Sequence, residues 1–303
     1  MNISTTKKEL QAAFSKLTKT TQIKSQNPLV NYTYISSGAH GVTLHSTDLE
    51  VGIKTQITAS VNTNGEGLFP TSEVNDIVSV IDEGRVDIDI AGPHINIKSE
   101  KGISFDIPTV PFQEYPEMPE NKHEALFTIK TNKLKNIIGS LLYAINAEPT
   151  KPALNGAYFS FNEDKIDFVA TDGHRLVKIT RQNETNIQKG YIIPKKYLNI
   201  LNTFLEGQEE TSLIFSENHV FSNNGKDVFY SKIIDEKFPN YNAVIPENNI
   251  KELVAQKTDM LNNIKAASIA TNKNTNQISL NFSEGKVFSV SYTHLTLPTS
   301  DLV

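Results

Sequence analysis

The sequence predicts an α+β fold in which one unit is used more than once. The chain matches itself at an offset of 124 residues. Matching positions include Leu10 with Leu134, Leu17 with Leu141, Tyr34 with Tyr158, Thr47-Asp48 with Thr171-Asp172, and Pro70 with Pro194. Helical and strand periodicities also follow one another in the same order in both copies. Repetition on this scale favours a ring, an array or a scaffold over a single active site.

Each copy is predicted to open with a short strand, at residues 2–4 and 126–129, and to continue into an amphipathic helix. The apolar residues of this helix fall at i, i+3, i+4 and i+7, which places them on one face. They are Leu10, Ala13, Phe14 and Leu17 in the first copy, and Leu134, Ile137, Ile138 and Leu141 in the second.

Alternating segments typical of half-buried strands come next, at 32–35 and 42–45 and again at 157–161 and 166–169. A second helix is predicted after Pro70 and after Pro194, with Gly84 and Gly207 as its stop signals. More alternating strands follow, and each copy closes on an aromatic-proline element. The predicted unit therefore packs two helices against one face of antiparallel strands.

A third copy begins after Pro246 and stays incomplete. Its predicted helix carries Leu261, Ile264, Ala267 and Ile269, and a hairpin follows at 278–290. The tail 291–303 resembles translated sequencing adapter, so we interpret it as non-native, with a divergent natural terminus as the alternative. The break falls inside a unit that needs further strands to bury its core.

The composition excludes several classes of protein. The chain contains no cysteine, which rules out disulfides and thiolate metal sites and fits a reducing cytosol. Its N-terminus lacks the apolar segment of a secretory signal. No apolar run approaches the roughly 18 residues needed to span a bilayer, so no membrane partner is expected.

Positive charge concentrates at the first helix of each copy. Residues 1–24 contain five lysines and one glutamate, residues 130–151 contain four lysines and one glutamate, and the whole chain has a net charge of −5. A basic helix on an acidic body suits a polyanion, because lysines neutralise phosphates without reading sequence. Charged helix faces are also common as plain solvated surface, so this pattern alone leaves both interpretations open.

Catalytic signals are weak. Asp172 and His174 could form an acid–base pair, but no glycine-rich phosphate loop, nucleophile elbow or zinc-binding helix motif is present. Asp48 occupies the place of Asp172 in the first copy, so the aspartate is predicted to cap a turn in both. We therefore predict no catalytic residue, metal or cofactor, and keep a hydrolase using Asp172 and His174 as an alternative.

The string Ala170-Thr171-Asp172-Gly173-His174-Arg175-Leu176, together with Phe238-Pro239-Asn240-Tyr241, closely resembles the bacterial DNA polymerase III beta subunit, the sliding-clamp family. The similarity runs from Met1 to about Val290. It implies clamp domains at 1–122 and 123–242 and a truncated one at 243–290. Two full-length chains would close head to tail into a ring, with helices lining the hole and sheets forming the outer wall.

The resemblance also implies the function. Such a ring encircles duplex DNA, is placed by a clamp loader, and tethers the replicative polymerase alpha subunit and other proteins with clamp-binding peptides. It is a non-catalytic processivity factor of the bacterial cytoplasm, acting at replication forks. A repeat scaffold that does not bind DNA stays the second alternative.

Site residues follow from the resemblance and the charge pattern. The peptide pocket is expected at Leu154, Thr171, Gly173, His174, Arg175, Leu176, Pro239 and Val244. DNA contacts are expected at Lys7, Lys8, Lys16, Lys19, Lys24, Lys133, Lys135, Lys151 and Lys196. The loop 148–153 departs from the family pattern, because it has no aromatic residue and carries an acid in place of a neutral residue. The ring joint is expected at the edge strand 103–107, through Phe105, Ile107 and, across the joint, Ile269.

Overall fold

The computed structural model describes residues 1–21, 27–38, 41–121, 125–146, 148, 150–205, 207–269, 271, 277–283 and 286–291. The chain divides into two compact units, Met1–Tyr241 and Asn242–Val303. None of the helices in the described part of the chain is long and apolar enough to cross a membrane.

The first copy contains nine strands and two α-helices among its described residues. In chain order these are β1 Asn2–Thr6, α1 Lys7–Thr21, β2 Tyr32–Gly38, β3 Gly41–Thr47, β4 Val51–Ile57, β5 Ser60–Thr63, β6 Glu66–Pro70, α2 Thr71–Val80, β7 Arg85–Ala91, β8 His94–Ser99 and β9 Ser104–Pro108. A 3-10 turn, Pro28–Asn31, precedes β2.

The second copy repeats this order with one strand fewer. Its elements are β10 Ala125–Lys130, α3 Thr131–Leu142, β11 Gly156–Phe161, β12 Lys165–Thr171, β13 Leu176–Gln182, β14 Gly190–Pro194, α4 Lys195–Phe204, β15 Glu210–Phe215, β16 His219–Asn223 and β17 Asp227–Lys232. A 3-10 turn, Pro152–Leu154, precedes β11, and a second one, Tyr241–Val244, follows β17.

The strands pair antiparallel and one sheet spans both copies. The described residues of this unit form sheets with the orders β5-β1-β7-β8-β9, β10-β15-β16-β17-β4-β3-β2-β6 and β13-β12-β11-β14. The second of these joins the copies, because β17 pairs with β4 over Asp227–Ser231 and Val51–Thr55. The edge strands are β5 and β9 in the first sheet, β10 and β6 in the second, and β13 and β14 in the third.

The predicted apolar stripes are the buried faces of the helices. Leu10, Phe14 and Leu17 of α1 have no exposed surface, and α3 buries Leu134, Ile138 and Leu141 in the same way. Each fully buried Leu or Phe stabilises the fold by roughly 1.5–3 kcal/mol relative to an exposed position. The helix packs on the sheet through these side chains, so the α+β prediction is confirmed.

The predicted helix ends need correction. Helix α2 ends at Val80, before Gly84, because Ile81 turns to an extended backbone and buries its side chain in the core. Helix α4 likewise ends at Phe204, before Gly207. The two glycines have positive φ, +135° and +81°, and belong to the turns that follow. Pro70 and Pro194 precede their helices as N-caps rather than occupying the first turn.

The second unit contains the start of the third copy. Helix α5, Lys257–Ile269, packs on the hairpin of β18, Ile278–Ser283, and β19, Lys286–Ser291. The predicted helix and hairpin are therefore present. No residue of α5 is fully buried: Ile264 and Ala267 of its predicted apolar face are half-buried, while Leu261 and Ile269 are exposed, Ile269 by 87%.

Candidate functional site

A tight corner joins β12 to β13 and presents the residues predicted for the peptide pocket. The Thr171 hydroxyl donates to the Arg175 carbonyl (2.7 Å) and accepts from the Gly173 amide (3.0 Å). Gly173 has φ +92°, a backbone conformation that favours glycine. His174 and Arg175 follow on the exposed side of the turn.

The Asp172 carboxylate holds this corner together. It accepts from the amides of His174 (2.9 Å) and Arg175 (3.0 Å), and its second oxygen accepts from Arg175 Nε (2.9 Å). These backbone hydrogen bonds, with the Arg175 guanidinium, lower the pKa of Asp172 to about 2. Such a carboxylate is a poor proton acceptor at neutral pH, so the geometry argues against the hydrolase alternative.

An apolar cluster lies beside the corner. Its buried members are Leu154, Val169, Ile192 and Phe238, and Leu176 packs against them partly exposed. The Phe238 ring stacks on Tyr158 at 4.9 Å between centroids. The structure thus brings together Leu154 and Leu176, as predicted, and adds two aromatic residues that the prediction omitted. The recurrence of Tyr34 as Tyr158 was the signal that could have identified one of them.

A charged network supports the same cluster. Tyr241 donates to Asp167 (3.0 Å), and Lys178 bridges to Asp167 (3.3 Å) while its ammonium lies 5.2 Å from the centre of the Tyr241 ring. Burial alone would raise the pKa of Asp167, but hydrogen bonds from Thr180, Tyr241 and Lys178 outweigh it and lower the pKa. Burial and the Asp167 charge raise the pKa of Tyr241 to about 12.

The two remaining pocket residues lie in different units. Pro239 follows Phe238 and is exposed. Val244 belongs to the second compact unit and is 69% exposed there.

The predicted DNA lysines fall into two groups. Lys8, Lys19, Lys133 and Lys151 are exposed. Lys8 and Lys19 are about three helical turns apart, so they share the solvent face of α1. Lys151 lies by the corner, with its Nζ 3.9 Å from the position of a Cβ at Gly173. Lys135 is partly buried, and Lys24 lies outside the described residues.

The other lysines of the set form ion pairs within the chain. Lys16 pairs with the buried Asp227 at 2.5 Å, Lys196 pairs with Asp48, and Lys7 lies 3.6 Å from Glu83. The Lys16 and Lys196 pairs cross from one copy to the other. Because their charges are neutralised locally, these two lysines stabilise the junction between the copies.

An aromatic side chain fills the junction itself. Tyr230 of β17 lies directly over Gly52 of β4, where a Cβ would overlap its ring. Its hydroxyl lies 2.8 Å from Nε2 of the buried His45. Sequence patterns within either copy contain no trace of this contact, because its partners lie in different copies.

The predicted ring-joint strand is an edge strand. β9 pairs with β8 in register Ile97 to Phe105 and Ile95 to Ile107, and no other described strand pairs with it. Phe105 and Ile107 are partly buried against the core. Ile269 lies in the second unit.

Two family models match this chain and together cover most of it. The model for the N-terminal domain of the DNA polymerase III beta subunit matches residues 1–119, and the model for its central domain matches residues 128–240.

Whole-chain relatives agree. The beta sliding clamp of Treponema pallidum (strain Nichols) is 26% identical over 256 residues, 84% of this chain and 69% of that protein. The beta sliding clamp of Rickettsia felis is 28% identical over 270 residues, 86% and 71% respectively.

Solved structures show the same fold. The DNA polymerase III subunit beta from Pseudomonas aeruginosa superimposes with a TM-score of 0.87 at 22% identity, over 95% of this chain and 83% of that one. The sliding clamp from Bartonella birtlesii, solved bound to griselimycin, has a TM-score of 0.87 at 25% identity, over 93% and 78%. This chain belongs to the DNA polymerase III beta subunit family, and it is a non-catalytic sliding-clamp processivity factor rather than an enzyme.

Proposed function

We propose that the protein, when full length, closes head to tail with a second copy into a ring around duplex DNA. The observation that carries this proposal is the pairing of β17 with β4, which fuses the two copies into one sheet. Strand β9 is the first copy's counterpart of β17, and β13 is the second copy's counterpart of β4. Each of these edges therefore fits a further unit of the opposite type, and head-to-tail contacts of this kind generate rings when the rotation closes.

The edge strand supports the same arrangement. Counting residues along the matching strands places Phe105 where β17 has Phe229, which packs across the copies' shared core beside Phe204. An edge strand with apolar residues and no partner is an aggregation hazard. We propose that Phe105 and Ile107 pair with the third domain of the partner chain, with Ile269 near that joint.

The proposed domains are 1–122, 123–242 and 243–290, and the exposed lysines of α1 and α3 face the DNA. Lys8, Lys19 and Lys133, with Lys151 and Lys24, would contact phosphates without reading bases. The match between the copies is one of charge and not of position, since no lysine of one helix falls on a lysine of the other at the repeat offset. A sliding ring tolerates this, because topological closure rather than tight contact retains it.

Partner peptides would bind at the β12–β13 corner. Leu154, Leu176 and Phe238 offer an apolar floor for leucine or phenylalanine anchors, and Gly173 lets a backbone approach closely. Thr171, His174, Arg175 and Pro239 would form its rim, and Val244, in the second compact unit, stays a prediction from the resemblance. We propose the polymerase alpha subunit and the clamp loader as users of this site, in the bacterial cytoplasm.

Retention on DNA tests the ring. The full-length protein would be loaded on nicked circular plasmid with a clamp loader, gel-filtered, and compared before and after linearisation. A ring stays on the circle and leaves the linear form at its ends. Equal retention on the two forms would rule out encirclement. Weaker binding of a short duplex at low salt by Lys8→Gln/Lys19→Gln but not by Lys98→Gln, a lysine on strand β8, would support the assigned DNA face.

A further inference from the structure

A basic cavity lies at the junction of the two copies. It has a volume of about 700 Å³ and is lined by residues from the end of α1, the start of α4 and the end of β17. Four lysines line it, namely Lys19, Lys195, Lys196 and Lys232, and Glu50 is the acidic residue among its described lining residues. A concave surface with this excess of positive charge favours an anion.

A buried amide without a partner lines the same cavity. Asn146 is only 9% exposed. Its Oδ1 accepts from the Glu148 amide at 3.1 Å, which fixes the side chain, and its Nδ2 has no hydrogen-bond partner in the described part of the chain. Buried donors are nearly always paired in native proteins, so an unpaired one indicates a missing ligand or water.

Asn155, a second residue that lines the cavity, also has a buried side-chain atom without a hydrogen-bond partner. Its Oδ1 is buried and has no partner among the described residues. Exchange of the oxygen and nitrogen of this carboxamide by a half-turn would present a second donor. The backbone carbonyl of Asn155 accepts from the backbone amide of Lys195 at 3.1 Å, which holds Asn155 beside the start of helix α4.

Helix α4 directs its positive end to this place. The helix has ten residues, and Pro194 at its N-cap provides no side-chain hydrogen bond. Helix N-termini bind anions through their amides and dipole. Two of the lysines are already engaged, since Lys195 Nζ donates to the Ile145 carbonyl (3.0 Å) and Lys196 pairs with Asp48. Lys19 and Lys232 are exposed and have no carboxylate at ion-pair distance among the described residues.

We infer that this cavity is a seat for a phosphate-type oxyanion, bound by the Asn146 amide, the start of α4, and the ammonium groups of Lys19 and Lys232. A backbone phosphate of DNA and a free phosphate share this chemistry. Lys19 lies on the face of α1 proposed to meet DNA, which favours the DNA source. The assignment to a DNA phosphate rests on the proposed function, whereas oxyanion binding in the cavity does not.

Inorganic phosphate titrated into the full chain at low salt, followed by calorimetry, tests the seat. Asn146→Asp keeps the acceptor for the Glu148 amide but removes the free donor, so we expect phosphate binding to be lost. Lys19→Gln should weaken it about fivefold. Asn136→Ala and Lys165→Gln, at exposed positions outside the cavity, are the matched controls and should leave it unchanged. Phosphate binding that is absent, or equal in wild type and Asn146→Asp, overturns the inference.

Binding to a short duplex identifies the source of the phosphate. If Asn146→Asp and Lys19→Gln weaken duplex binding more than Lys165→Gln does, and phosphate competes with the duplex, the seat holds a DNA phosphate. Unchanged duplex affinity with lost phosphate binding assigns the seat to a free oxyanion. A wild-type chain that binds phosphate but no duplex would contradict the proposed function and leave the seat intact.

Discussion

The two copies build the same corner from the same Thr-Asp pair. Thr47 and Asp48 make the hydrogen bonds that Thr171 and Asp172 make: the Thr47 hydroxyl donates to the Val51 carbonyl (3.0 Å), and Asp48 accepts from the amides of Glu50 and Val51 (2.9 and 2.8 Å). The corner is thus a structural frame in both copies. A Thr-Asp pair at this place does not by itself mark a functional site.

What the frame presents differs between the copies. Just after the corner, the first copy has Gly52 and receives Tyr230 from the second copy. The second copy has Leu176 at that position, packed into an apolar cluster whose neighbours Leu154 and Phe238 retain a small exposed area. One frame is closed by an internal joint, and the other is left available to a partner.

Exchanging these residues should break the internal joint. Gly52→Leu places a side chain where the Tyr230 ring lies, and overpacking of this kind costs about 3 kcal/mol of unfolding free energy. The reciprocal Leu176→Gly, at a partly exposed position, should cost about 1 kcal/mol. Urea unfolding measures both.

The double variant Gly52→Leu/Tyr230→Ala tests the cause. Removing the ring should recover part of the loss, giving a coupling energy well above 0.5 kcal/mol. A strictly additive result would show that the ring is not what Gly52 accommodates.

The copies should also differ in their response to acid. His45 is buried at the junction, where Val169 stands in the second copy, and burial with the nearby Lys54 lowers the pKa of His45 to about 4. The pKa of a histidine in an unfolded chain is about 6.5. Between these values the unfolded chain binds a proton and the folded chain does not, so stability falls as the pH falls.

The expected loss through His45 is about 2.5 kcal/mol from pH 7 to 4.5. His45→Val, which copies the second repeat, should remove this part of the slope in urea unfolding measured across the range. His174→Val is the matched control at an exposed position and should keep the slope. Parallel slopes in wild type and His45→Val would contradict the assignment.

Replacing Lys16 distinguishes lysines that hold the two copies together from lysines that contact DNA. Burial alone would raise the pKa of Asp227, but hydrogen bonds from Lys16 and Thr55 hold it below its ordinary value. Lys16→Gln leaves that buried carboxylate without its cation, which should cost about 2 kcal/mol of stability. Duplex affinity should stay unchanged. Lys8→Gln should do the reverse, and a matching loss of duplex affinity in both would return Lys16 to the DNA face.

Periodicity within a copy was enough to predict the fold. The stripes of α1 and α3 and the paired strands depend on local patterns and on burial of one face, whereas the edge position of β9 was expected from the family resemblance. The helix ends were missed because Ile81 gains more by entering the core than by extending α2 to Gly84. Tertiary burial outweighed the local stop signal.

The site was only partly predictable, for a different reason. Charge in the sequence predicted that Lys16 faces DNA, and this stays a prediction; its ion pair with Asp227, 211 residues away, was not visible in the sequence. The Tyr230–Gly52 contact and the cavity at Asn146 were also missed, because their residues are far apart in the sequence. Single-copy patterns carry no information about contacts between copies, and these contacts decide which lysines and which pocket stay free.

The smallest expected effect isolates the backbone of the two corners. Gly173 has φ +92°, and the first copy holds Leu49 at the matching place with φ +78°. A Cβ at Gly173 meets nothing closer than Lys151 Nζ at 3.9 Å, so Gly173→Ala should cost only the backbone term, about 1 kcal/mol. Leu49→Gly relieves that term but gives the unfolded chain more freedom, so its net change should stay within about 0.5 kcal/mol. Urea midpoints of the two variants measure the difference. A cost well above 2 kcal/mol for Gly173→Ala would mean that the second corner, unlike the first, is held by a contact beyond its own backbone.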